Sequence, residues 1–221
     1  MADSAGYVPR QVLLMAGTGE YPLEMMRGMR KAGVERITVM GYKGGTSRAV
    51  LNLADEVRVF RLGEFKQSLE WMASTGIRYA AMAGQLTPLA LFRARFDALS
   101  KSILAQLPVK NAHTVFGAWI QQIERIGLRM MPASSFMDDC LPGAGTRTNR
   151  APSEREFKDI QVGHSIALDI CDLDIGQTIL VKAGMVWAVE AFEGTTEAIR
   201  RGGKLGGGGS VLVKVAKKNH D

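Results

Sequence analysis

The chain has 221 residues, 46% of them hydrophobic, which is enough to build a packed core and excludes wholesale disorder. Its net charge of +6 suits phosphate-bearing partners, yet the scattered basic residues show neither zinc spacing nor aromatic–basic interleaving, which argues against nucleic acid. Two cysteines, Cys140 and Cys171, cannot make a disulfide framework and fit a reducing compartment.

Val12–Ala16 is an apolar run that meets Gly17-Thr18-Gly19, as a buried strand meets a glycine loop. Pro22 opens a helix to about Lys31, Pro being well placed in a first turn. Ile37–Gly41 and Val57–Phe60 are the next strands, Phe65–Ala73 is helical, and Tyr79–Ala83 is a fourth strand ending in Gly84. Ala112–Ile126 is a long helix stopped by Gly127, and Leu128–Ala133 a last strand of this half. Strands alternating with helices predict an α/β unit with a parallel sheet.

The stretch 141–152 is rich in turn formers and lacks any period, so it is the linker. Ser153 then caps a helix running to about Cys171. Thr178–Lys182 and Met185–Ala191 are strands around Ala183-Gly184, a two-residue hairpin turn. A short helix from Thr196 to Arg201, the tetraglycine Gly206–Gly209 and a final strand Val211–Val215 complete the chain. The expected fold class is therefore α/β, with a Rossmann-like parallel-sheet domain over 1–140 followed by a smaller α+β domain over 153–221 and a groove between them.

Three places could carry chemistry. Gly17, Thr18 and Gly19 lie between a strand and a helix, where backbone N–H groups can approach a phosphate. The third glycine of the dinucleotide fingerprint is Pro22 here and no ribose-binding acid follows, so an NAD(P) enzyme is disfavoured and a tight turn without ligand stays open. Gly84 and Gln85 form a second strand-end corner, where open α/β sheets bind ligands.

The third place follows from register. Counting outward from a turn at Ala183-Gly184 sets Gln177 opposite Glu190 and brings Asp174 near Glu193. Carboxylates gathered in this way would repel unless a cation joined them, and hard oxygen ligands beside phosphate suit Mg²⁺ or Mn²⁺, with Asp174 and Glu193 as ligands. Gly194 and Thr195 open the next helix and could grip a phosphate, helped by Lys214. The alternative is that these acids make surface ion pairs with Arg200, Arg201 or nearby lysines.

The segments Leu173-Asp174-Ile175-Gly176-Gln177, Val181-Lys182, Gly184-Met185-Val186, Ala188-Val189-Glu190-Ala191, Glu193-Gly194-Thr195, Ile199-Arg200-Arg201 and Val211-Leu212-Val213-Lys214 follow one another in a specific order and spacing. In these the chain resembles the C-terminal domain of the bacterial UDP-2,3-diacylglucosamine pyrophosphatases. Ala16-Gly17, Gly19, Pro22, Gly63-Glu64-Phe65, Ala83-Gly84 and Lys110 fall where that family has its strand-end motifs.

The resemblance implies metal-dependent hydrolysis of UDP-2,3-diacylglucosamine to 2,3-diacylglucosamine 1-phosphate and UMP in lipid A biosynthesis. The candidate catalytic residues are then Asp174, Gln177, Glu190 and Glu193. The candidate substrate contacts are Gly17, Thr18, Gly19, Gly84, Gln85, Lys110, Gly194, Thr195 and Lys214. A start without signal-peptide regions, and no apolar run near the roughly 18 residues of a span, lead to a cytoplasmic location, with the lipid substrate met at the inner-membrane face.

The sequence departs from the family after Lys110, where Asn111, Ala112 and His113 replace acidic residues. The family's Asp-x-Arg-x-Asp-x-Pro motif would begin at about Asp221, so the chain as given is expected to be a truncated member. The alternative function is a non-catalytic nucleotide-sugar or lipid-precursor binder, and an uncovered edge strand would favour a homodimer.

Overall fold

A computed structural model describes residues 7–86, 94–108 and 112–216. The chain forms two compact units, Met1–Leu141 and Pro142–Asp221.

In the first unit the described strands run parallel. They are β1 (Gln11–Ala16), β2 (Arg36–Tyr42), β3 (Glu56–Phe60), β4 (Tyr79–Ala83) and the short β5 (Arg129–Met130). Of these, β1, β2 and β3 each end in a loop that leads to a helix. The helices are α1 (Tyr21–Ala32), α2 (Arg48–Leu53), α3 (Phe65–Ser74), α4 (Ala98–Gln106) and α5 (Ala112–Arg125). The spatial order β3-β2-β1-β4-β5 makes the chain turn back between β1 and β4. Crevices for ligands form at this kind of reversal.

Both faces of the sheet are covered, which explains the continuous apolar reading of β1. Leu13 and Met15 pack with Phe60, Phe65, Trp71 and Trp119 on one side. Val12, Leu14 and Ala16 pack with Met25, Met26 and Met29 of α1 on the other. Pro22 sits in the first turn of α1, and Gly33 closes the helix at φ 96°, in the left-handed region that glycine enters without a Cβ penalty.

The second unit is built on α6 (Glu154–Asp172), β6 (Thr178–Lys182), β7 (Met185–Val189), α7 (Thr195–Gly206) and β8 (Val211–Lys214). Ser153 caps α6 in a reciprocal capping box with Glu156. The sheet order is β7-β6-β8, antiparallel throughout. Gly163 of α6 lies against Val181 and Val213, and Gly202 of α7 lies against Leu180 and Ala188. The two helices therefore cover opposite faces, since successive strand residues alternate sides.

The structure corrects several sequence expectations. A bulge between Leu180 and Val181 shifts the hairpin register, so Leu180 pairs with Ala188 while Val181 pairs with Val186. Beyond it the Glu190 N–H donates to the Thr178 carbonyl at 2.8 Å, so Glu190 faces Thr178 and not Gln177. Helix α7 continues past Arg201 to Gly206, and β5 is shorter than the expected strand. Helices α2 and α4 are additions.

Candidate functional site

The two glycine corners of the first unit bind each other. At the reversal between β1 and β4, the Gly17 N–H donates to the Ala83 carbonyl at 2.8 Å. Thr18 and Gln85 exchange backbone hydrogen bonds at 3.0 and 3.1 Å, and the Thr18 hydroxyl also donates to the Gln85 carbonyl at 3.1 Å. A Cβ on Gly17 would lie 2.6 Å from the Gln85 carbonyl oxygen, and one on Gly84 would lie 2.6 Å from that of Thr18. Their lack of a side chain is thus explained by loop-to-loop approach, without any ligand. Gly19, at φ 90°, differs because a Cβ there would meet open space.

In the second unit the pattern Gln177, Thr178, Glu190, Thr195 and Lys214 closes into one hydrogen-bond network. Glu190 follows the end of β7 and is buried, with 8% exposure. One carboxylate oxygen accepts the Thr195 hydroxyl at 2.7 Å, and the other accepts the Gln177 N–H at 3.3 Å. Thr195 is the first residue of α7, and its hydroxyl oxygen accepts from the Lys214 ammonium at 2.9 Å. The Thr178 hydroxyl, fully buried, stands 3.4 Å from the same oxygen. Close approach here depends on Gly176, whose Cβ would lie 2.1 Å from the Glu190 carbonyl oxygen.

Burial pushes the Glu190 carboxyl up, but hydrogen bonds from Thr178, Thr195 and the Gln177 N–H, together with the Lys214 charge, outweigh it and hold the group below the usual carboxylate range. Glu190 is therefore an anion fixed by its donors. Glu193 is held low by the Arg201 guanidinium, which donates to it at 2.6 Å and to the Val189 carbonyl at 2.7 Å.

Asp174 occupies a helix terminus. At φ 57° it is the left-handed residue after α6, with the Asp174 N–H on the Cys171 carbonyl and the Ile175 N–H on the Ile170 carbonyl, both at 3.0 Å. That double closure is the Schellman pattern, in which glycine is the usual occupant.

The expected gathering of three carboxylates is not formed: among the described residues no group of three or more His, Cys, Asp or Glu side chains could hold a metal ion. Glu190 is committed to Thr195 and Gln177, and Glu193 is paired with Arg201.

The network thus unites Gln177, Glu190, Thr195 and Lys214, with Gly194 as the residue preceding α7. Gly17, Thr18, Gly84 and Gln85 form a separate group in the other unit, and Lys110 lies outside the described residues. Thr178 was missed because its place in the network depends on the bulge, which period-two counting does not register. Asp159 was also missed. It lies in α6, is 1% exposed, and accepts the Ala183 and Gly184 N–H groups at 3.0 and 2.7 Å. Among the described residues, no helix is long and apolar enough to cross a membrane.

Residues 11–140 match the profile of the LpxI N-terminal domain, and residues 143–221 match that of the LpxI C-terminal domain. A relative from Caulobacter vibrioides, described as UDP-2,3-diacylglucosamine pyrophosphatase LpxI, is 26% identical over 197 residues, spanning 87% of this chain and 69% of that protein. Similar solved structures include the biotin carboxylase domain of Hydrogenobacter thermophilus 2-oxoglutarate carboxylase, at 12% identity and a TM-score of 0.34. Another is phosphoribosylglycinamide synthetase from Anaerococcus prevotii, at 12% identity and a TM-score of 0.30. They cover 93% of this chain, which spans 44% and 45% of theirs, and likenesses this distant carry no argument about function.

Proposed function

The chain belongs to the LpxI family, and from that premise we propose that it hydrolyses the pyrophosphate of UDP-2,3-diacylglucosamine to 2,3-diacylglucosamine 1-phosphate and UMP. The observation that carries this reading is the match of both halves of the chain, in order, to the two domains of that family. The name of the Caulobacter vibrioides relative supports the substrate.

The chemistry is attack of water on phosphorus: a P–O bond to water forms, the bridging P–O bond breaks, and the water proton is released. In this reading the protein supplies charge and positioning. Lys214 neutralises a phosphate oxygen, and the Thr195 N–H at the start of α7 donates to the same anion beside Gly194, whose own N–H is on the Ala191 carbonyl at 3.3 Å. Asp174 and Glu193, the latter now paired with Arg201, are the residues that would hold Mg²⁺ or Mn²⁺. Such a cation would supply Lewis-acid stabilisation of the charge that develops on the phosphoryl oxygens. The acylated substrate places the work at the cytoplasmic face of the inner membrane.

The test is release of UMP from UDP-2,3-diacylglucosamine with added Mg²⁺ or Mn²⁺. Activity that disappears on chelation and returns with the cation supports the reading. Turnover indifferent to chelator would remove the metal from it.

A further inference from the structure

We infer that Glu190 is a positioning residue that aims the Lys214 ammonium at the substrate pyrophosphate through the Thr195 hydroxyl, an inference that rests on the proposed function.

A threonine hydroxyl has one proton to give and two lone pairs to offer. An ionised carboxylate can only accept, so Glu190 takes the single Thr195 proton at 2.7 Å. Both Thr195 lone pairs are then turned away from Glu190. One faces the Lys214 ammonium at 2.9 Å, while the Thr178 hydroxyl, which donates to Glu190, stands 3.4 Å from the same oxygen.

The carboxylate thereby takes the Thr195 proton and leaves the hydroxyl lone pairs open to Lys214. It is itself set by the Gln177 N–H at 3.3 Å and by burial at 8% exposure, so it has little freedom to turn away. A lysine has a flexible stem and ordinarily samples many rotamers. Lys214 lies at the end of β8, with its ammonium tied to the first residue of α7. An ammonium ordered before the ligand arrives loses less entropy when a phosphate binds.

The chain is distinct from a packing role because it couples two positions in a predictable way. If Thr195 acts through Lys214, removing its hydroxyl should matter only while the ammonium is present. Two independent contributions would instead add.

The experiment titrates the full chain with inorganic pyrophosphate by calorimetry, using Thr195→Val, Thr195→Ser, Glu190→Gln and Lys214→Met singly, and Thr195→Val with Lys214→Met. Melting curves report folding of each variant. The expected result is about tenfold weaker binding for Thr195→Val and for Glu190→Gln, with Thr195→Ser recovering most of it. In the Lys214→Met background, Thr195→Val should cost less than about twofold. Additive losses in the double variant, unchanged affinity in folded Thr195→Val, or no pyrophosphate binding by the wild type would overturn the inference. If Thr195→Val fails to fold, the same cycle run with Glu190→Gln decides it. Coupled losses in pyrophosphate binding, without release of UMP from UDP-2,3-diacylglucosamine, would support the positioning role and reject the proposed reaction.

Discussion

Asp159 accepts the Gly184 N–H at 2.7 Å and the Ala183 N–H at 3.0 Å, so a carboxylate on α6 holds the hairpin turn between β6 and β7. The turn needs holding, because Ala183 adopts φ 51° and Gly184 φ 75°, and the first of these is costly for a residue with a Cβ. Replacing Asp159 by Ala should destabilise the protein by about 2–3 kcal/mol, through lost charge-assisted bonds and stranded N–H groups. Urea unfolding measures this, and a change below about 0.5 kcal/mol would show that the turn is set by its own residues.

Asp174 predicts an opposition between stability and function. Its φ of 57° at the end of α6 is a position where glycine is favoured. Asp174→Gly should therefore leave stability unchanged or raise it by up to about 1 kcal/mol, while lowering metal-dependent turnover. Thermal melting and UMP release on the same preparation test both halves. A variant that keeps full turnover would reduce Asp174 to a helix terminator.

The glycine corners of the first unit predict unequal tolerance. Gly84→Ala forces a Cβ to within 2.6 Å of the Thr18 carbonyl oxygen at φ 89° and should cost about 3–5 kcal/mol. Gly19→Ala meets open space and carries only the positive-φ penalty of about 1–2 kcal/mol. Chemical denaturation of the two variants gives the comparison, and equal losses would remove the loop-to-loop explanation of Gly84.

Glu190 carries a prediction for acid. Its folded carboxyl lies below the ordinary value of 4.5, so the stability it contributes is fully present above that value and is lost as pH falls through the lowered folded value. The stability gap between wild type and Glu190→Gln should be constant from neutrality down to about 4.5 and should narrow below it. A gap that closes already near neutral pH would contradict the hydrogen-bonded anion described above.

Much of this architecture was legible in the sequence because β1, β2 and β4 are continuous apolar runs, each ended by a loop, and because Pro22 and Ser153 mark helix starts through their backbone chemistry. Helix α2 left little trace, since its six residues bury only Val50 and its start rests on the Ser47 cap. Helix α7 was cut short at Gly202 because glycine ordinarily weakens a helix. Here a Cβ on Gly202 would lie 2.7 Å from the Leu180 side chain, so glycine lets the helix sit close to the sheet. The candidate site was half legible: the residue types around Glu190 and Thr195 were recognisable, but their pairing depended on a bulge that alternation cannot reveal.

The most direct test of the proposed reaction is a single assay, in which UDP-2,3-diacylglucosamine is incubated with the full chain and Mg²⁺ while UMP and 2,3-diacylglucosamine 1-phosphate are quantified together. The expected result is equimolar appearance of both products, a fall to background on chelation, and a loss of about tenfold or more in kcat/KM for Lys214→Met. Substrate that binds but yields neither product would contradict it.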